Sequence, residues 1–516
     1  MGRDRFQQLQ DELRQGWDGI DFGDGGDYDI LVVPSASLDP AELAQVAGVQ
    51  HYEERLLFSL IRLRHPRTRL IYVTSQPLAP IVIDYYLQLL PGVPFSHARD
   101  RLLNLSVFDN SLRPLSEKLL ERPRLLERIR QAMRPGRSVM TCYNATAIER
   151  QLALALDLPL FATDPELAYW GTKAGSRDIF AECQLPHPPG TGLARSPEEL
   201  ARKAARLWQA EPQLPKLVIK LNEGISGEGN AILDPPDLTG DWPRQGGPAE
   251  LEAAIATALP RIRFQGPHET WPSYRDRFAQ MGVLAEGFID GAVKRSPSVQ
   301  GYIHPSGRVE VLSTHDQILG GPDGQIYLGC RFPAAAEYRL PLQHYGQAVG
   351  EALARRGSLD RYGVDFVAVQ QDDGSWDLQA IEINLRKGGT THPFMTLKYL
   401  TNGHYDPRDG TFRSHSGQEK HYVATDNLCH PAYHGLLPRD LMDIIAEQQL
   451  HFDSSTKTGT IFHMIGCLSE FGKLGMTCIG NSAEEADAIY RRVEQILIEE
   501  GSQGDRATAL PLSWRS

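Results

Sequence analysis

Near residue 382 the chain reads Ala380-Ile381-Glu382-Ile383-Asn384-Leu385-Arg386. Apolar and polar side chains alternate, the period of a strand buried on one face. On such a strand Glu382, Asn384 and Arg386 share a side. Two hard oxygen donors and a guanidinium suit a magnesium ion bridging phosphates, with a cation beside it. An unpaired buried charge is expensive, so a core that holds this trio needs a ligand. A half-exposed edge strand shows the same alternation, and the rest of the chain has to decide between the two.

Four further stretches fall in an order that makes chemical sense. Trp170-Gly171-Thr172-Lys173 opens a helix. The strand Leu217-Val218-Ile219-Lys220 runs into Asn222-Glu223-Gly224-Ile225-Ser226-Gly227-Glu228-Gly229-Asn230. A third stretch is Val283-Leu284-Ala285-Glu286-Gly287-Phe288-Ile289. A fourth, Gly363-Val364-Asp365-Phe366-Val367, feeds the Glu382 strand. For a bound triphosphate each has a physical role. Lys173 and Lys220 are point charges for phosphate oxygens. The loop with Glu223, Gly224, Ser226, Gly227 and Gly229 has little side-chain bulk, so its amides can close over phosphates. Glu286, with the backbone of Phe288 and Ile289, can read an adenine edge. Asp365, Glu382 and Asn384 can hold magnesium on the β and γ phosphates. Singly, each has a plainer reading: a surface lysine, a turn, a solvated charge. The glycine loop is no Walker loop, since Gly-Lys-Ser/Thr is missing, and no nucleophile elbow, since Glu228 stands where glycine is needed. The order of all four carries the joint reading.

These side chains need strands and helices to hold them. In the first segment, Tyr28–Ser35, Leu70–Ser75 and Ser138–Cys142 read as strands. Helical patterns lie at Val49–Arg64, Ile81–Leu90 and Ser116–Met133, and Asn144–Glu149 reads as a capped helix start. Strands alternating with helices imply a parallel sheet, and the absence of GxGxxG after them argues against a dinucleotide site. The expected division is residues 1–160 as an α/β domain, 161–400 as a mixed domain carrying the nucleotide and metal residues, and 401–516 as a smaller α/β subdomain. The fold class is therefore α/β and α+β. Residues 235–248 read as a Pro/Gly-rich surface loop, and Gln371–Gly374 as a hairpin turn.

Composition narrows the function. The 516 residues are 41% hydrophobic and 23% charged, with a net charge of −12. That balance disfavours nucleic acid as a partner. Six scattered cysteines show no CxxC or zinc-type spacing, as in a reducing compartment. The polar start lacks the apolar segment of a signal peptide, and no stretch is long enough to span a bilayer. The cytoplasm is the default, and a homodimer the base-rate expectation. The pair His430 and His434 surrounds Pro431, and a satisfied loop outweighs a metal site there. His463 has two readings, core or cavity, with the core favoured.

Taken in order, the two lysines, the glycine loop, the Glu-x-Phe-Ile hinge and the Asp…Glu-x-Asn set resemble the ATP-grasp superfamily of carboxylate–amine ligases. The resemblance covers about Phe161–Tyr399, and by analogy the first segment looks like that family's pre-ATP-grasp domain. Glu382-x-Asn384-x-Arg386 with His392-Pro393 is similar to carboxylase and ligase members. Tyr72–Leu78, Lys294–Val299, Ala424–Leu428 and Phe462–Gly475 resemble peptide ligases of the pheganomycin type. Such a resemblance implies ATP with magnesium, or manganese in its place, and an acyl phosphate made from an amino acid or other small carboxylate. An amine acceptor, such as a peptide, then attacks it. It implies Arg386 at the acyl phosphate, with Arg295 and Arg331 as candidates for a substrate carboxylate. One departure stands out: Ala292-Val293-Lys294-Arg295 occupies the region where many members carry an acidic ribose ligand, and Asp290 is the nearest substitute. A non-catalytic nucleotide-binding module, or an ATP-grasp enzyme of phosphoryl transfer or carboxylation, stays open as an alternative.

Overall fold

The computed structural model describes residues 2–16, 26–38, 43–44, 46–224, 229–235, 247–266, 269–320 and 326–503. Among them, strands form sheets of five, four, nine and two. The first sheet is parallel, with strands β1 Asp29–Val33, β2 Arg69–Thr74, β3 Leu102–Ser106, β4 Ser138–Cys142 and β5 Leu160–Phe161 in the order β3-β2-β1-β4-β5. β1 and β4 are buried along their whole length, as strands covered on both faces must be. Thr146 starts the helix Ala147–Leu156 with a capping box to Glu149. The single helix expected at Ser116–Met133 is two, Leu115–Leu120 and Pro123–Ala132. Pro123 has no N–H to continue the first and a fixed φ suited to starting the second. The Val49–Arg64 helix is wound as a 3₁₀ helix and buries Leu56, Leu57, Leu60 and Ile61.

The second sheet is antiparallel: β6 Leu217–Leu221, β7 Asn230–Leu233, β8 Arg263–Phe264 and β9 Val283–Gly287, in the order β8-β7-β6-β9. Helices Pro197–Ala210 and Pro248–Ala258 close its core with Leu200, Ala204, Leu251 and Ile255.

The nine-stranded sheet comprises β10 Lys294–Arg295, β11 Pro297–Ile303, β12 Val309–Gly320, β13 Ile326–Phe332, β14 Asp360–Gln370 and β15 Trp376–Asn384. After a two-stranded ribbon (β16 His404–Asp406, β17 Thr411–Arg413), it continues with β18 His421–Cys429, β19 Gly459–His463 and β20 Lys473–Gly480. Its order is β10-β14-β11-β12-β13-β18-β20-β19, with β15 beside β14. The Gln371–Gly374 turn joins β14 to β15, and Gly374 takes the positive φ of 84° that this turn requires. β19 stops at His463, because Met464 turns left-handed at φ 54°. One apolar core runs from the first segment into the last: Tyr72, Phe332, Tyr399 and Phe462 belong to the same cluster. No helix among the described residues is long and apolar enough to cross a membrane.

Candidate functional site

β6 and β9 pair so that Val218 faces Glu286 and Lys220 faces Leu284. Lys220 and Glu286 are thus diagonal neighbours on one face, within reach of each other. Lys220 Nζ lies 2.5 Å from Glu286 Oε2, and Arg177 Nη1 lies 3.0 Å from Oε1. Glu286 is 2% exposed. Burial by itself would raise its pKa, but Lys220 and Arg177 outweigh burial and hold the carboxyl below its usual range. Beyond it, Phe288 donates its N–H to the Lys216 carbonyl at 3.1 Å. Its ring lies between the ammonium groups of Lys216 and Lys294, at 4.2 and 4.8 Å from the centroid.

The second cluster sits on the β14/β15 hairpin. Asp365 pairs with Glu382 and Gly363 with Asn384. The register then slips, because Phe366 pairs with Ala380. Ile381 is the extra residue of a β-bulge, a device that re-aims side chains beside sites. Asp365 accepts hydrogen bonds from Gln317 Nε2 at 2.7 Å and Asn384 Nδ2 at 3.0 Å. Burial and the Glu382 charge push its pKa up to about 7. Two carboxylates that repel each other beside an amide oxygen form a hard-oxygen set whose strain a divalent cation relieves. The residues present therefore fit magnesium. Lys173, at the start of the helix Lys173–Glu182, lies 3.7 Å from Glu382.

Both clusters open on one cavity of about 360 Å³, which Lys220, Glu286, Phe288, Ile289, Asp365, Glu382, Asn384 and Arg386 all line. Arg386 donates to the Lys387 carbonyl at 3.3 Å. Arg295 and Arg331 do not line this cavity. Arg295 lies over the Trp376 ring at 4.9 Å, and Arg331 pairs with Asp487 at 2.9 Å, half exposed. Glu223 is exposed and Gly229 buried. Ser226 and Gly227 fall outside the described residues. His430 caps the short helix Pro431–Tyr433 by accepting from Ala432 N at 3.1 Å. No cluster of three or more metal-ligating His, Cys, Asp or Glu side chains is found among the described residues. His463 is fully buried and hydrogen-bonded to Asp426.

The L-propargylglycine–L-glutamate ligase of Streptantibioticus cattleyicolor is 30% identical over 467 residues, spanning 88% of this chain and 91% of that protein. An IQCH-like ATP-grasp family matches residues 165–242 and 250–408. The chain belongs to the ATP-grasp ligases. It is an enzyme of that class, an ATP-dependent ligase joining a carboxylate to an amine. The PGM1 C-terminal domain family matches residues 440–493 of this ligase. The IQ motif-containing protein H of Danio rerio is 23% identical over 515 residues, and the ligase spans 91% of its own length but 48% of that relative. Biotin carboxylase from Campylobacter jejuni, crystallised as a β-γ-ATP complex, has the same fold, with a TM-score of 0.53 at 11% identity over 93% of this chain and 96% of that one.

Several lining or supporting residues of the ligase escape motif reading. Arg177 stands one helical turn after Lys173, a spacing that could have flagged it. Gln317 comes from β12 with no local signal. Tyr52, Arg55 and Tyr143 line the cavity from the first segment, where nothing in their neighbourhood marks them.

Proposed function

We propose that the cavity is the active site and that this ligase makes its amide bond through an acyl phosphate. The observation that carries the reading is a shared cavity, lined by the Lys220–Glu286 pair, the hinge, the Asp365–Glu382–Asn384 set and Arg386. Lys173 and Lys220 neutralise phosphate oxygens. Glu286 and Ile289 read adenine, Phe288's own N–H being already bonded. Asp365, Glu382 and Asn384 hold magnesium, or manganese in its place. Such an ion, when bound, offsets negative charge on the β and γ phosphates.

A donor carboxylate oxygen attacks the γ-phosphorus, and the bond to the ADP oxygen breaks. The amine nitrogen then attacks the acyl carbon, loses a proton, and phosphate leaves with the carbon–oxygen bond. Arg386 is placed to stabilise the acyl phosphate and the tetrahedral oxyanion. Enclosure matters because water would hydrolyse the intermediate. The relative's name supports two amino acids as substrates. The third segment, from residue 401, joins the nine-stranded sheet through β18 and β20. The test is ATP turnover with magnesium across amino acids and short peptides, with ADP and AMP resolved. ADP, phosphate and a new amide mass that appear only with a carboxylate–amine pair are expected; AMP, or turnover independent of any amine, would refute the reading.

A further inference from the structure

Arg55 brings a further cation to the cavity, from the first segment, and residues distant in sequence hold it in place. Its guanidinium lies between the rings of Tyr52 and Tyr143, 4.3 and 4.5 Å from their centroids. Asp426, on β18, approaches Nη1 at 3.4 Å. That carboxylate is fixed from its other oxygen by His463 Nε2 at 2.6 Å. His392 Nδ1–H donates to the Arg55 backbone carbonyl at 3.2 Å. The His392 and His463 rings lie 4.0 Å apart, centroid to centroid, and lock the array from below.

A cation held this firmly is preorganised for something beyond Asp426. A 3.4 Å approach is longer than a normal N–H···O bond, and a guanidinium has five donors. The side chain is 12% exposed, and it lines the cavity. The first segment also gives this cavity apolar lining: Leu38, Leu43, Val46 and Val49. One oriented charge against an aliphatic wall is the recognition chemistry of an α-carboxylate joined to an apolar side chain.

We propose that Arg55 holds the free carboxylate of the acceptor, an apolar α-amino acid, and so selects the amine that attacks. This deepens the ligase reading and rests on it. The donor's carboxylate is consumed at the metal set, beside Arg386. A carboxylate held by Arg55 survives the reaction, as the acceptor's does. Asp426 and His463 are positioning residues, which orient the fork without touching substrate.

Hydroxylamine separates the two halves of the reaction, because it traps the acyl phosphate as a hydroxamate without an acceptor. Each of the twenty protein L-amino acids is offered to the full-length enzyme with ATP, magnesium and hydroxylamine. The donor so identified is paired with L-valine, L-leucine and L-methionine, and with their amides, which keep the amine but lack the carboxylate. The wild-type enzyme is expected to prefer the acids by roughly a hundredfold in kcat/KM. In Arg55→Gln that preference should collapse to within about threefold, while hydroxamate formation persists. Arg55→Lys, which keeps the charge without the fork, should fall between them. Asp426→Asn should raise the acceptor KM and leave hydroxamate formation in place. The proposal is overturned if the amides serve as well as the acids, if none of the three acids is ligated, or if Arg55→Gln loses the hydroxamate. Failure of any donor to give hydroxamate in the wild type would instead remove the acyl-phosphate reading, and this proposal with it. The acid-to-amide ratio is measured on the wild type, so an ill-folded variant cannot mask the answer.

Discussion

Lys220 and Glu286 meet because β6 and β9 are neighbours in one antiparallel sheet; Arg55 and Asp426 meet although 371 residues separate them. Both pairs are buried charge, and Lys220, Glu286 and Arg55 line the same cavity. The first is set by register, which two short strands settle between themselves. The second exists only once the first segment has docked on the nine-stranded sheet, so it reports on assembly as well as on binding. Register should therefore govern the phosphate chemistry, and docking should govern which acceptor is used.

The sharpest way to break the comparison is at its register end. Glu382→Ala removes a carboxylate from the hairpin set, on a half-buried position where the cavity spares the core a packing loss. ATP turnover is expected to fall by about a thousandfold or more, with a melting temperature within about 4 °C of the parent. A variant that keeps full ligase activity would sink the metal assignment. Arg386→Ala should lower kcat by about a hundredfold while nucleotide affinity, read by calorimetry, moves far less.

Stability comes next. Glu286→Ala leaves Lys220 and Arg177 facing each other unpaired and buried, which costs about 3–5 kcal/mol. Added ATP should restore part of that, because its phosphates supply the missing negative charge. Asp426→Ala similarly strands Arg55, yet ATP should not rescue it. Equal rescue of both variants would erase the distinction between the two ends.

His315 lies on the framework that both ends share. It sits on β12, which also carries Gln317, and bonds Tyr422 on β18 through Nε2 at 2.6 Å. β18 carries Asp426. The ring is fully buried, and burial pushes its pKa down to about 3 from 6.5. Between those values the unfolded chain binds a proton that the native state does not, so stability rises with pH across the window and is lost as pH falls below about 6.5. Acidification should weaken the fold by up to a few kcal/mol. His315→Gln should flatten that limb in denaturant titrations at pH 4, 5 and 7; an unchanged slope would show that other groups set it.

Legibility follows the same division. The Glu382 trio, Asp365, Lys220 and Glu286 are visible because alternation and short motifs encode strand faces, and strands need only near neighbours to define them. Even there the bulge at Ile381 was hidden, since the slip depends on how Phe366 and Ala380 pair rather than on either stretch alone. The first sheet was equally readable from its apolar runs, although Pro123 split a helix whose periodicity alone looked continuous. Arg295 and Arg331 stood in the sequence as candidates for a substrate carboxylate, behind Arg386. Trp376 and Asp487, which engage them, lie 81 and 156 positions away, and sequence proximity says nothing of such partners. Arg55 was invisible for the same reason: apart from Tyr52 on its own helix, its partners Tyr143, Asp426 and His392 come together with it only in the assembled core.

The smallest effects give the finest comparison, because each end has its own cation–aromatic contact. Phe288 lies between Lys216 and Lys294, and Tyr143 packs on Arg55. Such contacts are worth about 0.5–2 kcal/mol, more where the cation is desolvated. Phe288→Leu keeps the hinge backbone and its bond to Lys216, so ATP KM should rise by roughly threefold with little change for the acceptor. Tyr143→Leu keeps the backbone carbonyl that accepts from Lys387, but removes one ring holding the Arg55 fork, so the acceptor KM should rise by roughly three- to tenfold at constant ATP KM. Arg55 is the more enclosed cation, which predicts the larger shift at its end. If both substitutions moved both constants together, the two ends would be mechanically coupled through the sheet, and the separation between register and docking would have to be abandoned.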